Sequence, residues 1–518
     1  MKNFKSILTT AVVASTTVVL FLVVGASLIS KQVNQKIHSS QIASFKMNRV
    51  EVITNLFLRR ITLNDVELID TTSSDSIYIP EVKIEGIRLL PLIFKKKLVI
   101  DNVIIKNPNV VFNEKMRPSG VSESKKSGKK ETIIQIQKVE ITNAKLFICK
   151  LDEQAKDTLF ATALNLEIWD LSTDTPEKNY AFKNSSFDRL RLSLDDGKYF
   201  FPNELYSFQY HQLNFDSESA GLEIDQAKLV SCYSKYEIGK KRGVETDWFD
   251  FTFDGFEMND IRLNSLLNDT ALIFREARLQ NFSAKAFKDK RLPFPEKPDT
   301  KLPMEMLDDL PFSMHCDSFL IDQAAIEYSE RVTQSDKAGV VTFHQLQAKI
   351  YCLSNIDRLI TQPSSMTIRA KVMDEAFLFA DFIFPNKKYP KAYQATGTLN
   401  SMSIASFNPM LMQNASLRVK DGRIKQLAFN FQYNNNQSTG DLLFEYDKLK
   451  VVLLHQDDDS DKNFKSFLIN SFVLHKENLS ENKSFRKGTI SFDRDKKKSV
   501  FNYWWKSILS GLKSIAVL

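Results

Sequence analysis

The chain has 518 residues, 43% of them apolar, with 39 Phe and 14 Tyr; that length suits two to four core-forming units, and the aromatic content favours strands over helices. Only 15 Gly and 15 Pro exclude collagen-like and low-complexity architectures. The net charge of +7 sits almost wholly at one end, because the segment from Ser484 onward carries eight Lys or Arg against two Asp, which points to an anionic surface there and not to nucleic acid along the body.

The N-terminal run Ser6–Ser30 holds 25 residues without a charge. As a helix it would extend about 37 Å, more than the ~30 Å of a bilayer's hydrocarbon core. The run is longer than an ordinary signal core, which favours an uncleaved anchor, although Val24-Gly25-Ala26 offers a cleavable signal peptide its small residues. Lys2 and Lys5 before the run balance Lys31 and Lys36 after it, so charge sets no orientation. A single N-terminal anchor leaves the large remainder as an exported body.

Beyond the anchor a spacing returns three times, with apolar residues at steps of 2, 3, 2, 3, 2 and 2. It reads Leu98, Ile100, Val103, Ile105, Pro108, Val110, Phe112; then Ile134, Ile136, Val139, Ile141, Ala144, Leu146, Ile148; then Met314, Cys316, Phe319, Ile321, Ala324, Ile326, Tyr328. Steps of 2 keep side chains on one face of a strand. Each step of 3 would turn the apolar set over unless a bulge or bend restores the phase. The gaps are polar in every copy, and at this apolar content such a pattern should arise by chance only about 0.1 times in the chain. The second and third copies also continue alike, as Ile168, Trp169, Leu171, Ser172 and as Ile350, Tyr351, Leu353, Ser354.

Shorter versions recur as Ile61, Leu63, Val66, Leu68; Ile77, Ile79, Val82, Ile84; Phe208, Tyr210, Leu213, Phe215; Leu222, Ile224, Ala227, Leu229; Phe256, Met258, Ile261, Leu263; Leu272, Phe274, Ala277, Leu279; and Phe467, Ile469, Phe472, Leu474. Plain alternation marks Phe249, Phe251, Phe253 and Leu427, Phe429, Phe431, Tyr433, as in half-buried antiparallel strands. Asp196-Gly197 and Asp421-Gly422 read as hairpin turns of a meander. Trp169 and Trp248 read as core.

Two stretches interrupt the pattern. Residues 115–131 are polar and basic, a flexible loop. Residues 293–311 hold five prolines, which an unbroken sheet does not tolerate. The organisation is therefore an anchor over 1–30, a β region over 31–114, a linker over 115–131, a central β region over 132–292, a proline-rich seam over 293–311, a C-terminal β region over 312–492 and a basic tail over 493–518. The acidic run Asp457–Asp459 with Asp461 reads as a solvated hairpin tip.

On a helical wheel the tail gathers Phe501, Trp504, Trp505, Ile508, Leu512 and Ile515 on one face, with Asn502, Lys506, Ser510 and Lys513 opposite. Two readings stand: an interfacial membrane helix, or an amphipathic helix that closes the open end of a sheet.

Catalytic signatures are missing. Six histidines form no HExxH, and there is no GxSxG elbow, no GxGxxG and no GxxxxGK[ST]. The four cysteines, at 149, 232, 316 and 352, form no CxxC pair, and Cys316 fills a repeat position as a small hydrophobe. No enzyme activity, catalytic residue, metal or cofactor is expected.

The segments ITLNDVELID, IYIPEVKIEGIRLL and KLVIDNVIIKNPNVVF resemble the N-terminal region of the AsmA-like family of envelope proteins, and HCDSFLIDQAAIEYSE, GTLNSMSIASFNPMLMQNASLRVKDGRIKQLAFNF and KSVFNYWWKSILSGLKS continue the likeness. The resemblance implies an inner-membrane helix, a periplasmic body built as an elongated, curved antiparallel β sheet with a concave apolar face, and phospholipid or other acyl lipid held there on the way to the outer membrane. On that reading the groove is lined by Leu98, Ile100, Val103, Ile105, Ile134, Ile136, Val139, Ile141, Met314, Cys316, Phe319 and Ile321, and the tail residues named above touch a membrane or partner proteins. The alternative is a non-enzymatic scaffold for outer-membrane protein assembly, with the apolar faces packed on each other. An anchored adhesin is a third reading; it would place its aromatics in exposed loops, whereas most of these alternate in strands.

Overall fold

A computed structural model describes residues 41–42, 45–55, 59–70, 75–113, 133–149, 159–173, 178–182, 185–201, 204–454 and 476–517. The proposed anchor, the linker, the acidic run and the Phe467–Leu474 pattern lie outside these residues. No helix among the described residues is long and apolar enough to cross a membrane. The structure is mainly β, 61% strand and 14% helix, and it divides into two compact units, Met1–Ala227 with Glu257–Ile273 and Lys228–Phe256 with Phe274–Leu518.

The first unit contains β1 (Gln41–Ile42), β2 (Phe45–Asn55), β3 (Arg60–Asp70), β4 (Ser76–Glu85), α1 (Leu89–Lys95), β5 (Lys97–Lys106), β6 (Asn109–Asn113), β7 (Ile133–Cys149), β8 (Leu159–Ser172), β9 (Tyr180–Phe182), β10 (Ser185–Phe187), β11 (Arg189–Phe200) and β12 (Tyr206–Asp216). Antiparallel ladders join β2 to β3, β3 to β4 and β4 to β5. The next pairing is parallel: β5 and β6 both lie alongside β7. Antiparallel ladders then resume through β8 and β11 to β12.

β13 (Gly221–Ser231), α2 (Glu237–Arg242), β14 (Asp247–Asn259), α3 (Leu263–Asp269) and β15 (Ala271–Gln280) follow. The second unit continues with β16 (Ser283–Asp289), α4 (Pro303–Asp308), β17 (Ser313–Arg331), β18 (Gly339–Ser354), β19 (Ser364–Val372), β20 (Ala376–Phe384), β21 (Tyr393–Leu399), β22 (Met402–Ser403), α5 (Asn408–Asn414), β23 (Leu417–Tyr433), β24 (Gln437–Leu453), β25 (Gly488–Asp493) and α6 (Val500–Val517). Here β16 runs parallel to β17, and antiparallel ladders carry on through β18, β19, β20, β21, β23 and β24 to β25.

The sheet is therefore mixed, and the expectation of a purely antiparallel meander is corrected at two places. Both are the stretches that break the sequence pattern. Parallel neighbours need a long return connection, and the chain supplies one between Asn113 and Ile133 and another between Asp289 and Ser313. Successive repeat copies consequently lie side by side in one direction, with Leu98, Ile100, Val103 and Ile105 in register with Ile134, Ile136, Val139 and Ile141.

A larger duplication underlies this. The order β3, β4, α1, β5, β6, β7, β8 returns, with α2 inserted after its first strand, as β13, β14, α3, β15, β16, β17, β18, and the hydrogen bonds return with it. Ile87 donates to the Arg59 carbonyl at 3.3 Å and Arg88 to Val99 at 2.9 Å; Ile261 donates to Ala220 at 2.9 Å and Arg262 to Ile273 at 2.8 Å. Asn107 donates to Thr142 at 2.9 Å and Lys145 to Pro108 at 2.8 Å; Asn281 donates to Asp322 at 3.2 Å and Ala325 to Phe282 at 2.8 Å. At the hairpin ends the Ile134 N–H is met by Thr173 Oγ1 at 2.9 Å and the Met314 N–H by Asn355 Oδ1 at 2.7 Å.

The steps of 3 are now explained. At the second step the extra residue takes a left-handed conformation in each copy, at Asn107, Asn143 and Gln323, with φ of 51°, 52° and 55°. At the first step the left-handed residue belongs to the partner strand, Asp170 opposite Gln137 and Cys352 opposite Asp317. Register shifts flank Ala144 and Ala324 alike. Asparagine tolerates this conformation because its short amide bonds locally: Asn143 Nδ2 donates to Asn107 Oδ1 at 2.7 Å, and Asn165 Oδ1 accepts from the Asn143 N–H at 2.9 Å.

Asp196-Gly197 and Asp421-Gly422 are not hairpin turns, since both lie inside strands, β11 and β23. Gly197 faces the ring of Tyr210, its ladder partner, and a Cβ there would sit 2.0 Å from that ring. Gly422 has φ of +140° between two register shifts. In both cases the glycine answers a packing or bulge requirement inside the sheet.

Candidate functional site

Burial of the apolar rows differs from strand to strand. In the first unit Leu63, Val66, Leu68, Ile77, Ile79, Val82 and Ile84 are buried, as are Leu98, Ile100, Val103, Ile105, Ile134, Ile136, Val139 and Ile141, none of these fifteen above 6% exposed. The parallel register of β5 and β7 sets the last eight in two adjoining rows, and these rows are dry. In the third copy Cys316 is buried, whereas Met314, Phe319 and Ile321 are half-buried. The Cys316 thiol donates to the Ser318 carbonyl at 3.1 Å, and burial pushes its pKa up to about 12, so it behaves as an inert packing residue.

More open apolar positions lie on strands that the sequence marked only as short copies or alternations. On β12, Phe208, Tyr210 and Leu213 are half-buried; on β13, Leu222, Ile224 and Leu229; on β14, Phe249, Phe251, Phe253, Phe256 and Met258. Phe249 and Phe251 stand 5.3 Å apart by ring centroid, Phe251 and Phe282 6.0 Å, and Phe253 and Phe256 6.1 Å. The exposed Thr252 and Asp254 alternate with them, so the aromatic row occupies one face of its strand. Burial, with Asp196 adding to it, pushes the Tyr210 phenol up to about 12. The spacing Leu272, Phe274, Ala277, Leu279 also proves to be a full fourth copy, continued by Phe282, Ala284 and Ala286.

The opposite face is ionic. Lys138 pairs with Glu140 at 3.1 Å and Glu167 at 2.5 Å; Arg191 pairs with Asp216 at 3.1 Å, and Arg189 with Asp216 at 2.5 Å. Trp169 is not core: its ring lies on this face beneath Lys138, Arg189 and Arg191, at 5.5, 5.0 and 5.8 Å. Burial raises the Asp216 pKa, but bonds from Arg189, the Glu218 N–H and Arg191 outweigh it and hold the group at about 2. Trp248, half-buried, donates its indole N–H to the Tyr233 carbonyl at 3.1 Å.

At the tail, α6 covers the edge of the sheet. Its buried residues are Val500, Tyr503, Ser507, Leu509, Gly511 and Ile515; the small Ser507 and Gly511 allow the helix to lie close to the strands. Ser507 shares a 2.7 Å hydrogen bond with Ser438. Ser514 Oγ accepts from the Thr489 N–H at 2.7 Å and Ser510 Oγ from the Ser491 N–H at 3.2 Å, so the edge strand β25 has these donors occupied. Of the six tail residues expected on one greasy face, Ile515 is buried, Trp504, Ile508 and Leu512 pack half-buried on the core, and Phe501 and Trp505 stand 75% and 54% exposed. Trp504 lies 4.4 Å from the Phe382 ring.

The basic cluster before α6 has intramolecular partners. Lys497 pairs with Asp299 at 2.9 Å, Lys498 lies 3.3 Å from the centre of the Phe294 ring, and Arg494 bonds Asn435 and the Thr300 carbonyl. These contacts hold the proline-rich seam, where α4 begins with Pro303 at its first turn.

Among the described residues no three His, Cys, Asp or Glu side chains converge on a point where a metal ion could sit. Compared with known protein families and with characterised proteins, the sequence matches none of them.

Proposed function

We propose that this is an AsmA-like envelope protein, anchored in the inner membrane by Ser6–Ser30, whose periplasmic body shields lipid acyl chains on its apolar β face and contributes to phospholipid transfer toward the outer membrane. The observation that carries the reading is the contrast within one repeated pattern. Its rows on β3 to β7 are buried, while the aromatic row on β14 and the apolar rows on β12 and β13, each taken by itself, stay half-buried. Apolar rows left open to that degree call for a cover. An acyl chain of about 16 carbons, at ~0.8 kcal/mol per CH₂, gains roughly 12 kcal/mol by leaving water for full apolar cover. Shielding of this sort requires no nucleophile and no metal.

The scaffold alternative has less support where it can be weighed, because strand addition needs a free edge and α6 serines already occupy N–H groups of β25. The inner-membrane partner is the Ser6–Ser30 run. The exposed Phe501 and Trp505 are the part of the tail suited to an outer-membrane surface or a partner protein. The test is binding of a phospholipid carrying a fluorescent acyl chain. Native protein should bind it, and Phe249→Asp with Phe251→Asp should lose that binding while keeping the native circular dichroism spectrum. Equal binding by both proteins would refute the reading.

A further inference from the structure

The two copies of the large duplication differ sharply at one short helix. In the second copy α3 turns Leu263 and Leu267 inward and presents Asn264 and Asn268 outward. Those amides are used: Asn264 Oδ1 accepts from the Ala181 N–H at 3.1 Å, Asn264 Nδ2 donates to Asn179 O at 2.9 Å, and Asn268 Nδ2 donates to Ala181 O at 2.9 Å. The helix ends on left-handed Thr270, whose N–H meets Ser265 O.

The first copy has the same backbone. α1 ends on left-handed Lys96, whose N–H meets Pro91 O. The outward positions matching Asn264 and Asn268 are Leu90 and Phe94, which stand 69% and 79% exposed. Where α3 continues with Asp269, Thr270 and Ala271, α1 continues with Lys95, Lys96 and Lys97. The second copy shows that this helix and its cap form without apolar residues outside, so the fold does not require Leu90 and Phe94 to be apolar. Two large hydrophobes one helical turn apart beside three consecutive lysines have the character of an interfacial anchor.

We propose that α1 docks on an anionic phospholipid surface, with Leu90 and Phe94 entering the headgroup region and Lys95, Lys96 and Lys97 meeting lipid phosphates. The charge selects this occupant, since Lys95, Lys96 and Lys97 directly follow the two exposed hydrophobes. A helix held flat against the bilayer fixes how the first unit stands on the membrane, which a single spanning segment does not do. The inference rests on the membrane attachment proposed above and is independent of what the apolar face carries.

The test uses the full chain with Phe94→Trp, mixed with vesicles of phosphatidylcholine and phosphatidylglycerol whose acyl chains are brominated near the headgroup. Flotation of the vesicles and tryptophan emission are both read, with the native chain subtracted. The expected result is co-flotation with loss of most of the extra emission, and recovery of that emission when Lys95→Glu, Lys96→Glu and Lys97→Glu are added. Co-flotation with the extra emission unquenched overturns the docking of α1 and leaves membrane attachment standing. Absence of co-flotation overturns both.

Discussion

Replacing Ile136 with alanine separates a dry row of the repeat from an open one. Ile136 is 3% exposed, sits beside Ile100 in the parallel ladder and opposite Leu171 in the antiparallel one. The substitution removes three carbons, worth about 2.4 kcal/mol at ~0.8 kcal/mol each. Two ladders hold the walls, so they close little of the space left, and a cavity term brings the cost to about 3–4 kcal/mol. With a urea dependence of roughly 3 kcal/mol/M, the unfolding midpoint should fall by about 1 M. Phe251→Ser should behave differently: its ring is half-buried, beside Phe249 and Phe282 at 5.3 and 6.0 Å, so the midpoint should fall by less than ~0.5 M. Urea titration followed by circular dichroism measures both. Equal losses would mean that the two rows are the same kind of core, and the division between dry and lipid-facing parts of the repeat would be wrong.

Three further outcomes are expected. Folded Asp216 is held near 2, below its ordinary 3.8, so its contribution is present at neutral pH and is lost as pH falls from about 4 through 2; Asp216→Asn should remove about 1 kcal/mol at pH 7 after allowance for solvent screening and flatten the stability profile over that window. Ser510→Ala with Ser514→Ala should expose the Ser491 and Thr489 N–H groups at the sheet edge, cost about 1–3 kcal/mol and speed amide exchange at those two residues; unchanged protection would deny α6 its capping role. Phe501→Ser with Trp505→Ser should lower binding to anionic vesicles without changing thermal stability, because both rings face solvent.

What the sequence made legible follows from what strands repeat. The steps of 3 announced a change of phase, and the left-handed residues Asn107, Asn143 and Gln323 sit at those steps. Residues 115–131 and 293–311 were legible as interruptions. That they let one copy lie parallel to the next was not, because composition marks where a sheet stops and not where the chain returns. Asp421-Gly422 and Asp196-Gly197 misled because the same dipeptide serves a tight turn, a bulge, or a position facing a Tyr ring. The helical wheel of the tail found an amphipathic helix but placed its contact face by hydropathy. The docked side includes Ser507 and Gly511, residues selected for closeness and hydrogen bonding, and so Phe501 and Trp505 remain outside. Among the groove candidates, the eight of the first two copies are buried, whereas the half-buried row of Phe249, Phe251 and Phe253 had been visible only as an alternation. Apolar periodicity names the face; how much of it is covered depends on long-range pairing.

The central claim is that the half-buried rows hold acyl chains. Its most direct test is lipid analysis by mass spectrometry of the full chain extracted in mild detergent, beside the same chain carrying Phe249→Asp and Phe251→Asp. Phospholipid retained in proportion to the native protein and lost from the substituted one is the predicted result. A well-folded native protein that carries no more lipid than its substituted counterpart would contradict it.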